Sequence, residues 1–167
     1  MGILNKILKD KAVTHLKEGD KAPDFSGPDQ EGSLIALKDF KGKRLVLYFY
    51  PKDDTPGCTA ESCNLRDNYA ELKKRGIEII GISADDEKAH SKFVKKYGLP
   101  FRLIADTERT IINAYGVWGE KMLFGRKYDG ILRTTFVINE KGFIEKIFSK
   151  VETDNHSDQI LQSLQLK

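Results

Sequence analysis

Two cysteines and the residues just ahead of them are the part of this 167-residue chain best equipped for chemistry. They lie in Tyr48-Phe-Tyr-Pro51-Lys-Asp-Asp-Thr55-Pro56-Gly57-Cys58-Thr-Ala-Glu-Ser-Cys63, where an apolar run gives way to a polar turn and a cysteine follows a Pro-Gly pair. Pro56 has a fixed φ and no N–H to lose, which suits the first positions of a helix and puts Cys58 in its first turn. Unpaired backbone N–H groups and the positive end of the helix dipole sit there, and both favour a thiolate over a thiol. A thiolate is a nucleophile, so the expected chemistry is attack by sulfur. The alternative for Cys58 is an inert buried thiol.

Cys63 follows at i+5, which on an ideal helix places it about 140° around the axis and about 8.7 Å from Cys58, Cα to Cα. A disulfide needs less than about 7 Å. The two cysteines can therefore join only if the first turn of the helix unwinds; otherwise Cys63 packs as a small hydrophobe. Thr55, three residues ahead of Cys58, is placed either to bond the sulfur or a substrate oxygen, or to cap the helix.

Other chemistries find less support. His15, His90 and His156 are scattered and none neighbours Cys58, so a Cys-His hydrolase would need tertiary structure to assemble it. One C-x4-C pair without a second pair of ligands falls short of a zinc site, and no glycine-rich phosphate loop occurs. A net charge of +3, dispersed along the chain, does not point to nucleic acid. The pairs in Lys73-Lys74-Arg75 and Lys95-Lys96 read as solvated helix ends.

The elements that must hold Cys58 in place are legible from periodicity. With 40% hydrophobic and 32% charged residues, the chain reads as one globular domain, neither disordered nor fibrous. Its longest clean apolar stretch, Leu45 to Tyr50, is far short of the roughly 20 residues a membrane helix needs, so no membrane partner is expected. The opening MGILNKILKDKAV lacks the apolar core of a secretory signal. A cytoplasmic location, where thiols stay reduced, is the expectation. Within residues 1–17, Ile3, Leu4, Ile7 and Leu8 share a helical face opposite lysines, which predicts a short amphipathic extension before a domain spanning 18–167.

From Gly19 strands and helices alternate. Asp24 to Ser26 and Ser33 to Ala36 read as a small hairpin, and Arg44 to Tyr50, apolar on both faces, as a central parallel strand. Leu65, Tyr69 and Leu72 recur at helical spacing across Cys58 to Arg75, ended by Gly76. Ile77 to Ser83 reads as a second buried strand, Asp86 to Tyr97 as a helix closed by Gly98, Arg102 to Ala105 as a strand and Glu108 to Tyr115 as a helix. Thr134 to Ile138 and Phe143 to Phe148 form a further hairpin, and a terminal helix carries Ile160, Leu161 and Leu164. This alternation implies an α/β fold with a mixed central sheet between helical layers. Cys58 then falls at the carboxyl end of a strand, where such sheets gather ligands and catalytic groups.

The run Pro51-x-x-x-Thr55-x-x-Cys58 resembles the active-site signature of the peroxiredoxins, and the longer string YFYPKDDTPGCTAESCNLRD resembles their bacterioferritin-comigratory, or Q-type, branch. Gly81-Ile-Ser83, Tyr115-Gly-Val-Trp-Gly-Glu-Lys121 and Gly130-Ile-Leu-Arg133-Thr-Thr-Phe136-Val-Ile138 extend the likeness in order from Gly19 onward. The resemblance implies a thioredoxin-like fold and a thiol peroxidase of antioxidant defence that uses no cofactor, acts on hydrogen peroxide and organic hydroperoxides, and is re-reduced by a thioredoxin-type dithiol. It implies Cys58 as the peroxidatic cysteine and Cys63 as the resolving one, joined in an intramolecular disulfide. Pro51, Thr55 and Arg133 are the remaining active-site positions it implies, in a chain that is most often a monomer and in some cases a dimer. Read alone, Arg133 would pass for a surface ion-pair residue. A function from another class, a redox-responsive binding protein or holdase with the same fold, would consume one equivalent of oxidant rather than many.

Overall fold

The computed structural model describes residues 14–165, so the amphipathic face expected at Ile3 to Leu8 lies outside the described residues. Arg44–Phe49 (β3) sits at the centre of a five-stranded sheet ordered β5-β4-β3-β8-β9, in which β4 is Ile77–Ser83, β5 Arg102–Ala105, β8 Thr134–Ile138 and β9 Ile144–Phe148. Pairing is parallel from β3 to β4 and β4 to β5, and antiparallel from β3 to β8 and β8 to β9. Ser26–Pro28 (β1) and Leu34–Ala36 (β2) form the separate N-terminal hairpin. Mixed sheet and hairpin are the arrangement the alternating pattern implied, and together they fit the thioredoxin-like fold that the resemblance added.

Successive side chains of a strand point to opposite faces, and β3 divides the core accordingly. Leu45, Leu47 and Phe49 join one apolar cluster with Ile82, Phe136 and Tyr115. Val46 and Tyr48, with Tyr50 beyond the strand end, join another with Leu65, Leu72, Phe93 and Ile160. Cys58 belongs to the second cluster. Both faces being dry explains why β3 reads as an unbroken apolar run.

The helices that pack there are Pro56–Asp67 (α1), Tyr69–Lys74 (α2), Glu87–Tyr97 (α3) and His156–Ser163 (α5). A further short helix, Thr110–Ala114 (α4), contributes Ile111 and Ile112 to the other cluster. The single helix expected from Cys58 to Arg75 is two. At Asn68 the backbone leaves helical geometry (φ −112°, ψ 8°), and the Asn68 side-chain amide donates to the Asn64 carbonyl at 2.8 Å. That side chain competes for an acceptor the continuing helix would have used.

One hairpin was not anticipated. Trp118–Leu123 (β6) pairs with Arg126–Ile131 (β7) across Phe124 and Gly125, both at positive φ (52° and 77°). The two-residue turn is of the kind hairpins favour, but Phe at its first position hides the usual Asn-Gly signal. Most of its side chains are exposed, so no buried face imposes an apolar alternation on the sequence.

Candidate active site

Thr55 is the N-cap of α1 with extended backbone, and the first helical bond runs from the Thr59 N–H to the Thr55 carbonyl at 2.8 Å. Pro56 occupies the first helical position, as expected. Cys58 then sits in the first turn, 1% exposed. α1 buries Cys58, Glu61, Ser62 and Leu65, an i, i+3, i+4, i+7 face turned toward β3. Tyr48 on β3 meets that face through a 2.9 Å hydrogen bond between its hydroxyl and that of Ser62.

Arg133, 75 residues further along the chain, lies on the link between β7 and β8 and donates from Nη2 to the Cys58 sulfur at 3.3 Å. Gly57 leaves room for that approach: a Cβ there would stand 3.1 Å from Arg133 Nη2, tighter than ordinary contact. The other guanidinium nitrogen, Nη1, donates to Glu61 Oε1 at 2.7 Å. Burial works against the Arg133 charge, but Glu61 and Cys58 outweigh it and hold the guanidinium above its ordinary range. A fixed cation against a buried sulfur stabilises negative charge on that sulfur.

Glu61 was missed by sequence reasoning. It is fully buried, and its second oxygen, Oε2, has no hydrogen-bond partner among the described residues. His156 Nε2 lies 3.7 Å from that oxygen. The His156 ring donates from Nδ1 to Gln159 Oε1 (2.8 Å), leaving Nε2 to accept from the Thr135 hydroxyl (2.8 Å), so it offers Glu61 no hydrogen. Burial pushes the Glu61 carboxyl up to about 7 despite the pull of Arg133. Burial likewise pushes His156 down to about 4, with Gln159 opposing and Arg133 adding to the shift. The signal that could have found Glu61 was its place on the buried face of α1.

Lys121 completes the surroundings. Half-buried on β6, it donates to the Ile131 carbonyl at 2.9 Å. Burial lowers its pKa and the Arg133 charge adds to this, while Cys58 opposes.

The remaining positions are less tightly gathered. Pro51 is half-buried in the bend after β3. The Thr55 hydroxyl neither caps α1 nor bonds Cys58, but donates to the Lys52 carbonyl at 2.8 Å. Cys63 is a free, half-buried thiol on the same helix, and Cys58 is also free. Just beyond Cys63 the helix is tied down: Asn64 donates to the Asp154 carbonyl (3.1 Å) and accepts from the Ser157 N–H (2.8 Å) and hydroxyl (3.0 Å) at the start of α5. Arg66 donates to the Tyr97 carbonyl at 2.7 Å.

Comparison with known proteins agrees with this geometry. The AhpC/TSA family description matches residues 18–147. Peroxiredoxin Bcp of Escherichia coli K12 is 48% identical over 149 residues, covering 89% of this chain and 96% of the relative. Peroxiredoxin Bcp of Bacillus subtilis is 44% identical over 146 residues, covering 87% and 93%. Among solved structures, Peroxiredoxin Q of Xanthomonas campestris superposes with a TM-score of 0.79 at 35% identity, covering 84% of this chain and 89% of that one. A thioredoxin-like domain with a buried sulfur under a guanidinium, matched along nearly its whole length, belongs to the AhpC/TSA family and within it to the bacterioferritin-comigratory, Q-type peroxiredoxins, which reduce peroxides through a redox-active cysteine.

Proposed function

We propose that Cys58 is the peroxidatic cysteine and Cys63 the thiol that resolves it. The observation that carries this reading is the Arg133 guanidinium 3.3 Å from the Cys58 sulfur. The Cys58 thiolate attacks the outer oxygen of a peroxide; the S–O bond forms as the O–O bond breaks, and the leaving oxygen takes a proton to depart as water or alcohol. Arg133 stabilises the charge that moves onto that oxygen, Thr55 orients the peroxide and Pro51 shields the sulfur from bulk water. Cys58 is left as a sulfenic acid.

Cys63 then attacks the Cys58 sulfur, and a disulfide forms as water leaves. Both cysteines lie within the continuous helix α1, so this step requires its first turn to unwind. A thioredoxin-type dithiol reduces the disulfide and is itself oxidised. Hydrogen peroxide and organic hydroperoxides are the substrates, the cytoplasm the site of action and a monomer the working form, with residues 1–17 an appendage to the catalytic domain 18–167.

Thioredoxin-coupled NADPH consumption on adding hydrogen peroxide tests the scheme. Wild type should turn over many times and Cys58→Ser not at all. Cys63→Ser should form one sulfenic acid per chain and then stop. Turnover in Cys58→Ser would sink the assignment of the nucleophile, and normal turnover in Cys63→Ser would assign resolution to another thiol. Wild type that stops after one equivalent with a competent reductant would favour a redox-responsive binding protein.

A further inference from the structure

We propose that His90 is a positioning residue for peroxide reduction, acting through Asp53 to hold the loop that presents Pro51 and Thr55 beside Cys58; the inference rests on the roles proposed above for those two residues. The loop runs from the end of β3 to the start of α1, and its centre points inward. Asp53 Oδ1 accepts from the Tyr50 hydroxyl at 2.6 Å, and Oδ2 lies 2.6 Å from His90 Nδ1. The Asp53 N–H donates to Asp85 Oδ2 at 2.8 Å, an oxygen that the Ser83 hydroxyl also reaches at 2.6 Å.

His90 is fully buried on α3, and its Nε2 faces the Ile104 carbonyl of β5 at 3.0 Å. A carbonyl oxygen only accepts, so Nε2 carries a hydrogen. The one proton in the Nδ1–Oδ2 contact then leaves the pair without net charge, whether it rests on nitrogen or oxygen. Neutrality as a pair is what allows two ionisable groups to sit away from water. The side chain of a loop residue is thereby fixed to α3 and, through it, to the sheet.

The rest of the loop is tied at the surface. Asp54 takes a left-handed backbone (φ 57°), and its carboxylate accepts from Lys96 Nζ at 2.8 Å and the Tyr97 hydroxyl at 2.6 Å, both on α3. The Thr55 hydroxyl reaches back to the Lys52 carbonyl. Arg133 and Glu61 come from outside this loop, so the guanidinium beside the sulfur is not itself held by Asp53 or His90. A displacement of about 1 Å in a positioning group can cost about a hundredfold in rate.

Asp53, Asp85 and His90 stand close enough together to hold a cation. The hydrogen bonds already present account for the cluster: His90 Nδ1 and Asp53 Oδ2 are in direct contact, and the Asp85 oxygen beside them already accepts two hydrogens. Positioning is the role these bonds describe.

The test uses the full chain carrying Cys63→Ser, so that only Cys58 reacts. The second-order rate of sulfenic acid formation with hydrogen peroxide is read by rapid mixing and dimedone trapping, beside the rate of iodoacetamide alkylation and the melting temperature. His90→Ala and Asp53→Ala should slow oxidation tenfold or more while alkylation, which needs the thiolate but no peroxide positioning, changes less than threefold. Asp53→Asn should recover most of the rate, because its carboxamide can accept from Tyr50 and donate to the bare Nδ1 of a neutral His90. A folded His90→Ala that oxidises within twofold of the parent, whatever its melting temperature, overturns the inference. So does Asp53→Asn as slow as Asp53→Ala, a pair that decides the matter even if His90→Ala does not fold. A parent that forms no sulfenic acid overturns the assignment of Cys58 and this inference with it.

Discussion

Glu61 and His156 face each other across 3.7 Å, and their protons make opposite demands on the fold. The Glu61 carboxyl, raised from 4.5 to about 7, binds protons more tightly folded than unfolded, so its contribution to stability declines as pH rises between those values. His156, lowered from 6.5 to about 4, binds them less tightly folded, so its contribution increases as pH rises from about 4 to 6.5. Where the windows overlap the two slopes oppose. Urea unfolding across pH 4 to 7 should therefore show a parent-minus-variant difference that falls with pH for Glu61→Gln and rises for His156→Gln. Flat difference curves would show that neither proton is coupled to folding. At this scale Thr55 and Cys58 were legible as candidates because the Pro56-Gly57 pair between them marks a helix start, whereas Pro51 was singled out only through resemblance. Arg133 was legible only through resemblance, since nothing local ties it to a sulfur 75 residues away. Glu61 was hidden because a charge on a helix reads as solvated.

At the level of elements, β3, β4, β5, β8 and α3 matched their expected spans closely, since buried strands and a capped helix announce themselves. Asp86 accepts from the Ala89 N–H at 2.8 Å to start α3, and Gly98 ends it at φ 60°. The break at Asn68 was not legible, because a side-chain amide taking one carbonyl leaves the apolar spacing on either side intact. β4 also carries a constraint that periodicity cannot express. A Cβ on Gly81 would stand 2.7 Å from Leu103 Cδ2 and 2.8 Å from Tyr48 Cζ, and overfilling a packed core costs about 1–3 kcal/mol. Gly81→Ala should lower the urea midpoint accordingly. Because Cζ bears the hydroxyl that holds Ser62 of α1, the same variant should also oxidise Cys58 more slowly, measured by dimedone trapping. Unchanged stability would mean that the Tyr48 ring yields without cost.

Over the whole molecule, the mixed sheet with its two dry faces followed from the alternation of strands and helices. The β6–β7 hairpin did not, because it stands largely outside both apolar clusters. Its tip residue Phe124 is 97% exposed, and substitutions at such sites usually change stability by less than about 0.5 kcal/mol. Phe124→Ser should unfold in urea at the parent's midpoint, and a clear loss would reveal a contact made by the tip.

The ties around α1 bear on how the protein changes shape during a cycle. Tyr97 receives the loop ahead of the helix through its hydroxyl and the far end of the helix, at Arg66, through its carbonyl. Asn64 is moored to the start of α5 one residue past Cys63. Like a length of rope made fast at both ends, the span between Thr55 and Asn64 can sag or coil without moving either post. In the cycle proposed above, joining the two sulfurs is an internal rearrangement of a fixed-end span, and the oxidised and reduced molecules are expected to keep the same outline. A reductant must tell them apart by the texture of that one short stretch, not by the silhouette of the whole.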